Sequence, residues 1–210
     1  MYGPAPPGYS DGVGRTRSWA LSAGVTLAAC AGAAVLAAPS ATASDCARSD
    51  TLSSELSVDE YAASVLCVLN RERTDRGLAP LVFAKRLGVS SWFHARDMRD
   101  HRFFGHTSPD GRSFVDRIRA ARYLEDHEND RWSLGETLAW SSEATSTPAR
   151  VVEALMDSPT HHDVVLDPRF REVGIGVVRG TPTPDDSGVT VAIDYGSLRS
   201  AASLRGQLAS

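Results

Sequence analysis

VVEALMDSPTHHDVVLDPRFREVGIGVV, residues 151–178, changes its periodicity midway. Val151, Val152, Leu155 and Met156 recur at helical spacing, and Thr147-Pro148 just upstream supplies an N-cap and a first-turn proline. Pro159 is expected to end that helix. His161 and His162 follow the Ser-Pro step. Further on, Val173, Ile175 and Val177 alternate as in a half-buried strand, and Val189, Val191, Ile193 and Tyr195 alternate again after TPTPDDSG. The two runs form an expected antiparallel hairpin with a loose loop.

Upstream the pattern is helical. Ser57-Val58-Asp59-Glu60 is a capping box, in which serine and glutamate satisfy each other's orphan amides. Tyr61, Val65, Leu66 and Leu69 follow on one face, and Gly77 marks the stop. A second helix is expected over residues 84–100, with Leu87, Ser91, Ala95 and Met98 on one stripe and His94 at its margin as a solvated or core-edge residue. Next, FFGHTSPDG, residues 103–111, sets His106 between an aromatic pair and a turn made by proline, aspartate and glycine. A helix from Ser113 buries Phe114, Ile118 and Ala121. LEDHENDRW, residues 124–132, is expected to be a solvated charged loop. No internal repeat appears, and the tail after Gly196 carries little signal.

At 210 residues and 42% apolar content, the chain can bury one substantial core. Residues 1–43 differ in composition from the rest. A loose Gly/Pro opening and Arg15 and Arg17 precede a span without charge from Ser18 through Ser44. Ala41-Thr42-Ala43 then offers the small residues of a signal-peptide cleavage site. Export is the expectation, with a mature N-terminal segment over residues 44–60, a domain over residues 61–196 and a tail over residues 197–210. An uncleaved anchor is the weaker alternative, because alanine and glycine insert poorly beside leucine. Lipidation at Leu27-Ala28-Ala29-Cys30 is another.

Cleavage near Ala43 leaves two cysteines, Cys46 and Cys67. In an oxidising compartment they are expected to form a disulfide; two free thiols, with Cys67 on a buried apolar face, are the alternative. Without Asp11, Arg15 and Arg17, 25 acidic and 20 basic side chains leave a net charge of −5. That balance argues against nucleic acid as a partner.

The order LCVLNRERTDRGLAPL, FFGHTSPDG, LGETLAW, the 151–178 stretch and a closing AIDYG resembles the bacterial SCP-domain branch of the CAP superfamily. That superfamily comprises cysteine-rich secretory proteins, antigen 5 and pathogenesis-related-1 proteins. The resemblance covers residues 66–196 and implies an α+β fold, a CAP-type α-β-α sandwich with a central mainly antiparallel sheet. It also implies a cleft lined by His106, Glu136 and His161, in which a divalent metal, zinc first, is held by His106 and His161. The second acid of the family cleft has no clean match; Asp157 is the nearest candidate. Thr137 stands where asparagine is usual after the glutamate, Leu155 where tryptophan is common, and THHDVV replaces GHRANI. His162 is read as a rim group; a substitute ligand and a surface replacement for the missing arginine are the alternatives.

Neutral imidazoles suit zinc, and a nearby carboxylate can orient a ring or activate bound water. The sequence has no G-x-S-x-G, no H-E-x-x-H and no phosphate loop. The leading expectation is a secreted module that binds a small-molecule or lipid-like ligand, or a cell-envelope component, with no membrane span after cleavage. A metal-dependent hydrolase using Glu136 or Asp157 as base, and an envelope interaction protein, are the other readings.

Overall fold

The computed structural model describes residues 46–125, 127, 131–184 and 187–199. The expected leader, Cys30 and the tail from residue 200 onward lie outside the described residues. Five α-helices and four strands are formed in the described part: α1 (Val58–Thr74), β1 (Val82–Phe83), α2 (Lys85–Asp100), α3 (Phe114–Ala120), β2 (Arg131–Ser142), α4 (Pro148–Asp157), α5 (Pro159–Val165), β3 (Glu172–Arg179) and β4 (Gly188–Arg199).

The helix starts follow from local chemistry. Ser57 and Glu60 close the expected capping box on α1, and Ser113 with Asp116 closes a second on α3. Thr147 accepts from the Arg150 amide ahead of α4. At the far end of α1, Gly77 adopts a φ of 73°, and the Leu78 amide reaches back to the Arg73 carbonyl. Pro159 starts a helix as well as stopping one: lacking an amide hydrogen, it fits the first turn of α5. His161 and His162 therefore ride on a helix.

The sheet order is β1-β3-β4-β2; β1 pairs parallel with β3, and both β3 and β2 pair antiparallel with β4. The sheet is thus mainly antiparallel, with the expected hairpin at its centre. Strands β1 and β2 carried no readable alternation. LGET belongs to the interior of β2.

The two sheet faces have different chemistry. Val173, Ile175, Val177, Val191, Ile193 and Tyr195 face the main core with α1, α4 and α5. Their register neighbours on the other face include Gly174, Gly176 and Ala192, over which α2 lies. A Cβ on Gly174 would sit 2.0 Å from the Leu87 carbonyl carbon, and one on Gly176 would sit 2.1 Å from that of Ser91. The helix backbone rests directly on the strand, which brings every inward side chain of α2 close to β4.

Two polar clamps hold the α1 end. Asn70 bonds both the amide and the carbonyl of Leu81, at 2.7 and 3.0 Å, fixing the entry to β1. Arg73 is fully buried and donates to the carbonyls of Ala79, Val165, Asp167 and Phe170. Cys46 and Cys67 form a disulfide with Cα atoms 5.6 Å apart, tying the segment before α1 to that helix. In the loop-entropy account a crosslink closing a loop of this size stabilises by about 3 kcal/mol.

Candidate functional site

Glu136 and Asp194 face each other across the β2–β4 ladder, on the side covered by α2. Both are buried. Glu136 Oε1 accepts a hydrogen bond from His106 Nδ1 at 2.8 Å, and its Oε2 accepts one from Arg117 Nη2 at 2.6 Å. Arg117 Nη1 also donates to the carbonyls of His106 and Arg112, at 3.0 and 3.1 Å, and to Ser108 Oγ at 3.3 Å. One guanidinium from α3 therefore fixes both the carboxylate and the turn that carries His106.

Burial first, and then the Glu136 charge, push the Asp194 carboxyl well above the usual carboxylate range; its neutral form is favoured beside the Glu136–Arg117 pair. The Asp194 oxygens and the nearby Ser90 Oγ complete no hydrogen bond of good geometry. His94 is fully buried rather than solvated or at the core edge. Its Nε2 lies 3.0 Å from the Gly105 carbonyl and 4.0 Å from Glu136 Oε2. Since a carbonyl only accepts, Nε2 carries the proton and Nδ1 is left as a lone-pair acceptor. Desolvation lowers the His94 pKa, ahead of the opposing pull of Glu136.

His106 is half exposed beyond Glu136. Its Nδ1 hydrogen is held by the carboxylate, so a neutral ring presents Nε2 outward. His161, on α5, is half-buried; burial and then the His106 ring hold its imidazole below the usual histidine range. The two rings are near enough to influence each other although 55 positions separate them. His162 points to Asp163 instead, at 3.5 Å. Asp157 is exposed at the end of α4, with no hydrogen bond or ion pair to His106, Glu136 or His161 among the described residues. Asp194 is the acid against Glu136. Its signal in AIDYG was a single aspartate out of phase with the apolar alternation, on the face that packs against α2.

No three His, Cys, Asp or Glu side chains among the described residues converge closely enough to hold a metal ion. What fits a cation is narrower: the outward Nε2 of His106 and the neighbouring His161 ring, with Glu136 in the orienting position that a carboxylate takes behind a ligating histidine.

A helix–sheet–helix sandwich with a histidine seated on a buried strand glutamate defines a CAP-type domain. The chain belongs to the cysteine-rich secretory protein family, whose model it matches over residues 66–195. It is 32% identical over 128 residues to the uncharacterized protein YkwD of Bacillus subtilis (strain 168), a match covering 61% of this chain and 46% of that protein. The chain thus spans about half the length of that curated relative. Among solved structures it is similar to an extracellular protein containing a SCP domain from Bacillus anthracis, with a TM-score of 0.52, 18% identity, and coverage of 69% of this chain and 44% of that one. It is also similar to an outer surface protein of Borrelia burgdorferi, with a TM-score of 0.56, 19% identity, and coverage of 69% and 97%. At those identities the structures establish the fold.

Proposed function

We propose that this chain is an exported binding protein whose His106–His161 cleft holds a divalent cation, zinc before others, and with it the polar end of a small or lipid-like ligand of the envelope or the extracellular space. The observation that carries the reading is the His106–Glu136–Arg117 chain. It locks one imidazole with its outer nitrogen facing the cleft, beside a second imidazole whose neutral form is favoured. A cation there would polarise a bound oxygen or anchor a head group. The Glu136 side chain is fully buried, with one oxygen held by His106 and the other by Arg117, so it stands behind the histidine rather than open to a water or substrate in the cleft; that favours binding over the hydrolase reading.

Export is supported by the uncharged span before Ala41-Thr42-Ala43, by the disulfide, and by relatives described as extracellular or outer-surface. N-terminal sequencing of secreted material is expected to begin just after Ala43; an acylated Cys30 at the N-terminus would replace this with the lipoprotein reading. Isothermal titration with zinc tests the cleft. His106→Ala and His161→Ala are each expected to lower affinity by at least about tenfold, the order of loss seen when a metal-site group is removed, and His162→Ala to leave it near wild type. Binding in the wild type should weaken as pH falls through the histidine range. Zinc affinity unchanged in both His106→Ala and His161→Ala would end the proposal. Mass spectrometry of small molecules retained by the purified protein then identifies the organic ligand.

A further inference from the structure

Seven large hydrophobic side chains stand exposed among the described residues, and five of them gather at β1 and the outer stripe of α2: Val82, Phe83, Val89, Trp92 and Phe93. Exposed apolar side chains scattered singly are ordinary; a cluster marks a contact surface. The Phe83 ring lies against α2 at Gly88, where an added Cβ would sit 2.8 Å from Phe83 Cζ, and Trp92 follows one helical turn on. Trp92 and Phe93 meet edge to face with ring centroids 5.0 Å apart. The Arg96 guanidinium lies 5.2 and 5.6 Å from those two centroids, which holds a cation over the aromatic pair.

The charge around this cluster is one-sided. Residues 85–122 carry nine basic side chains against four acidic ones, a net +5 in a chain whose total is −4. Of the nine, Arg117 alone is buried. Lys85, Arg86 and Arg96 share the exposed stripe of α2 with Val89, Trp92 and Phe93. The exposed acid of that stripe, Asp100, is held by Arg96 and Arg99 at 3.6 and 2.6 Å. A second copy docked by a two-fold axis would set these cations against their own counterparts. A soluble polyanion would match the charge and leave the rings in water. An anionic bilayer surface meets both: its headgroup layer takes up aromatic rings, and its phosphates attract lysine and arginine.

We propose that the β1–α2 face is a docking surface for an anionic lipid bilayer, with Phe83, Trp92 and Phe93 entering the headgroup layer and Lys85, Arg86 and Arg96 meeting lipid phosphates. The cleft residues sit elsewhere, on the loop after α2, on β2 and on α5, so docking does not depend on zinc.

Vesicle flotation without zinc tests this on the protein released into the medium by an expressing host. Vesicles of equal parts phosphatidylcholine and phosphatidylglycerol are expected to bind it at least about tenfold more tightly than phosphatidylcholine alone, and molar salt to release most of it. Trp92→Ser with Phe93→Ser, and Lys85→Gln with Arg96→Gln, are each expected to lower affinity for the anionic vesicles by at least about tenfold. Trp132→Ser, at an exposed tryptophan on the opposite edge strand, should leave it near wild type. Circular dichroism checks that the variants are folded, and the lipid comparison on the wild type stands without them. Zinc titration of the same variants should match wild type, so this proposal and the cleft proposal fail separately. No binding to anionic vesicles, whether or not the protein binds soluble polyphosphate or itself, would overturn the inference. So would equal binding to both vesicle types, or wild-type affinity in both folded double variants.

Discussion

Arg117 holds more of the site together than any other single side chain. It neutralises a buried carboxylate on β2 and donates to two carbonyls and a hydroxyl in the loop between α2 and α3. Removing one member of a buried ion pair strands the other charge, which costs about 3–5 kcal/mol. Arg117→Met is therefore expected to lower unfolding free energy by about that much in urea titrations. Arg117→Met combined with Glu136→Leu should recover a large part of the loss, because the stranded charge is gone. A double variant no more stable than Arg117→Met would show that the loop contacts, rather than the ion pair, carry the cost. Arg73 is a different case: it is buried with backbone carbonyls as its hydrogen-bond acceptors, joining the end of α1 to the segment after α5.

At the scale of elements, the decisive contact is α2 on β3. Glycine at positions 174 and 176 removes the side chains that would otherwise hold the helix away, so Ser90 and His94 reach the Asp194–Glu136 pair. Gly174→Ala places a methyl group 2.0 Å from helix backbone, which cannot rotate aside. It is expected to cost about 3 kcal/mol or more, at the upper end of overpacking effects. It should also weaken zinc uptake, because α2 leads into the loop that positions His106. Gly105→Ala is the control: its Cβ meets nothing within 4 Å, and stability should change by less than about 1 kcal/mol. Paired urea melts decide this, and equal effects at the two positions would contradict the packing account.

For the whole molecule, buried titratable groups make stability depend on pH in a predictable direction. His94 has its pKa lowered by folding, so below the unfolded value of about 6.5 the unfolded chain takes up a proton that the folded chain resists. Its contribution is fully present above that pH and is lost as pH falls toward the lower folded value. His161 acts in the same direction. Asp194 acts in the opposite one: its raised pKa gives a contribution present below about 3.9 that is lost as pH rises through its folded value. His94→Gln is expected to flatten the fall in urea midpoint between about pH 6.5 and 5. An unchanged slope would mean that other groups dominate there.

The helices and the central hairpin were legible in the sequence because their information is local. A capping box, a first-turn proline, a stop glycine and a period-two run each act within a few residues. The order of the quoted segments was enough to suggest the family, and the family-model match establishes it. Strand β2 was not legible, because its α2-facing residues mix Leu134, Glu136 and Leu138 and so erase the alternation. Nor was the restart of helix at Pro159, where one proline both ends α4 and opens α5. The sequence by itself determined which residue types could do chemistry and where α1 to α4 and the β3–β4 hairpin would form. Tertiary structure decided which of them met: cross-strand register set Asp194 against Glu136, and helix-on-glycine packing buried His94 beside them. Arg117, from a third element, fixed the turn that carries His106. Register and close packing depend on partners far along the chain, and no local pattern encodes them.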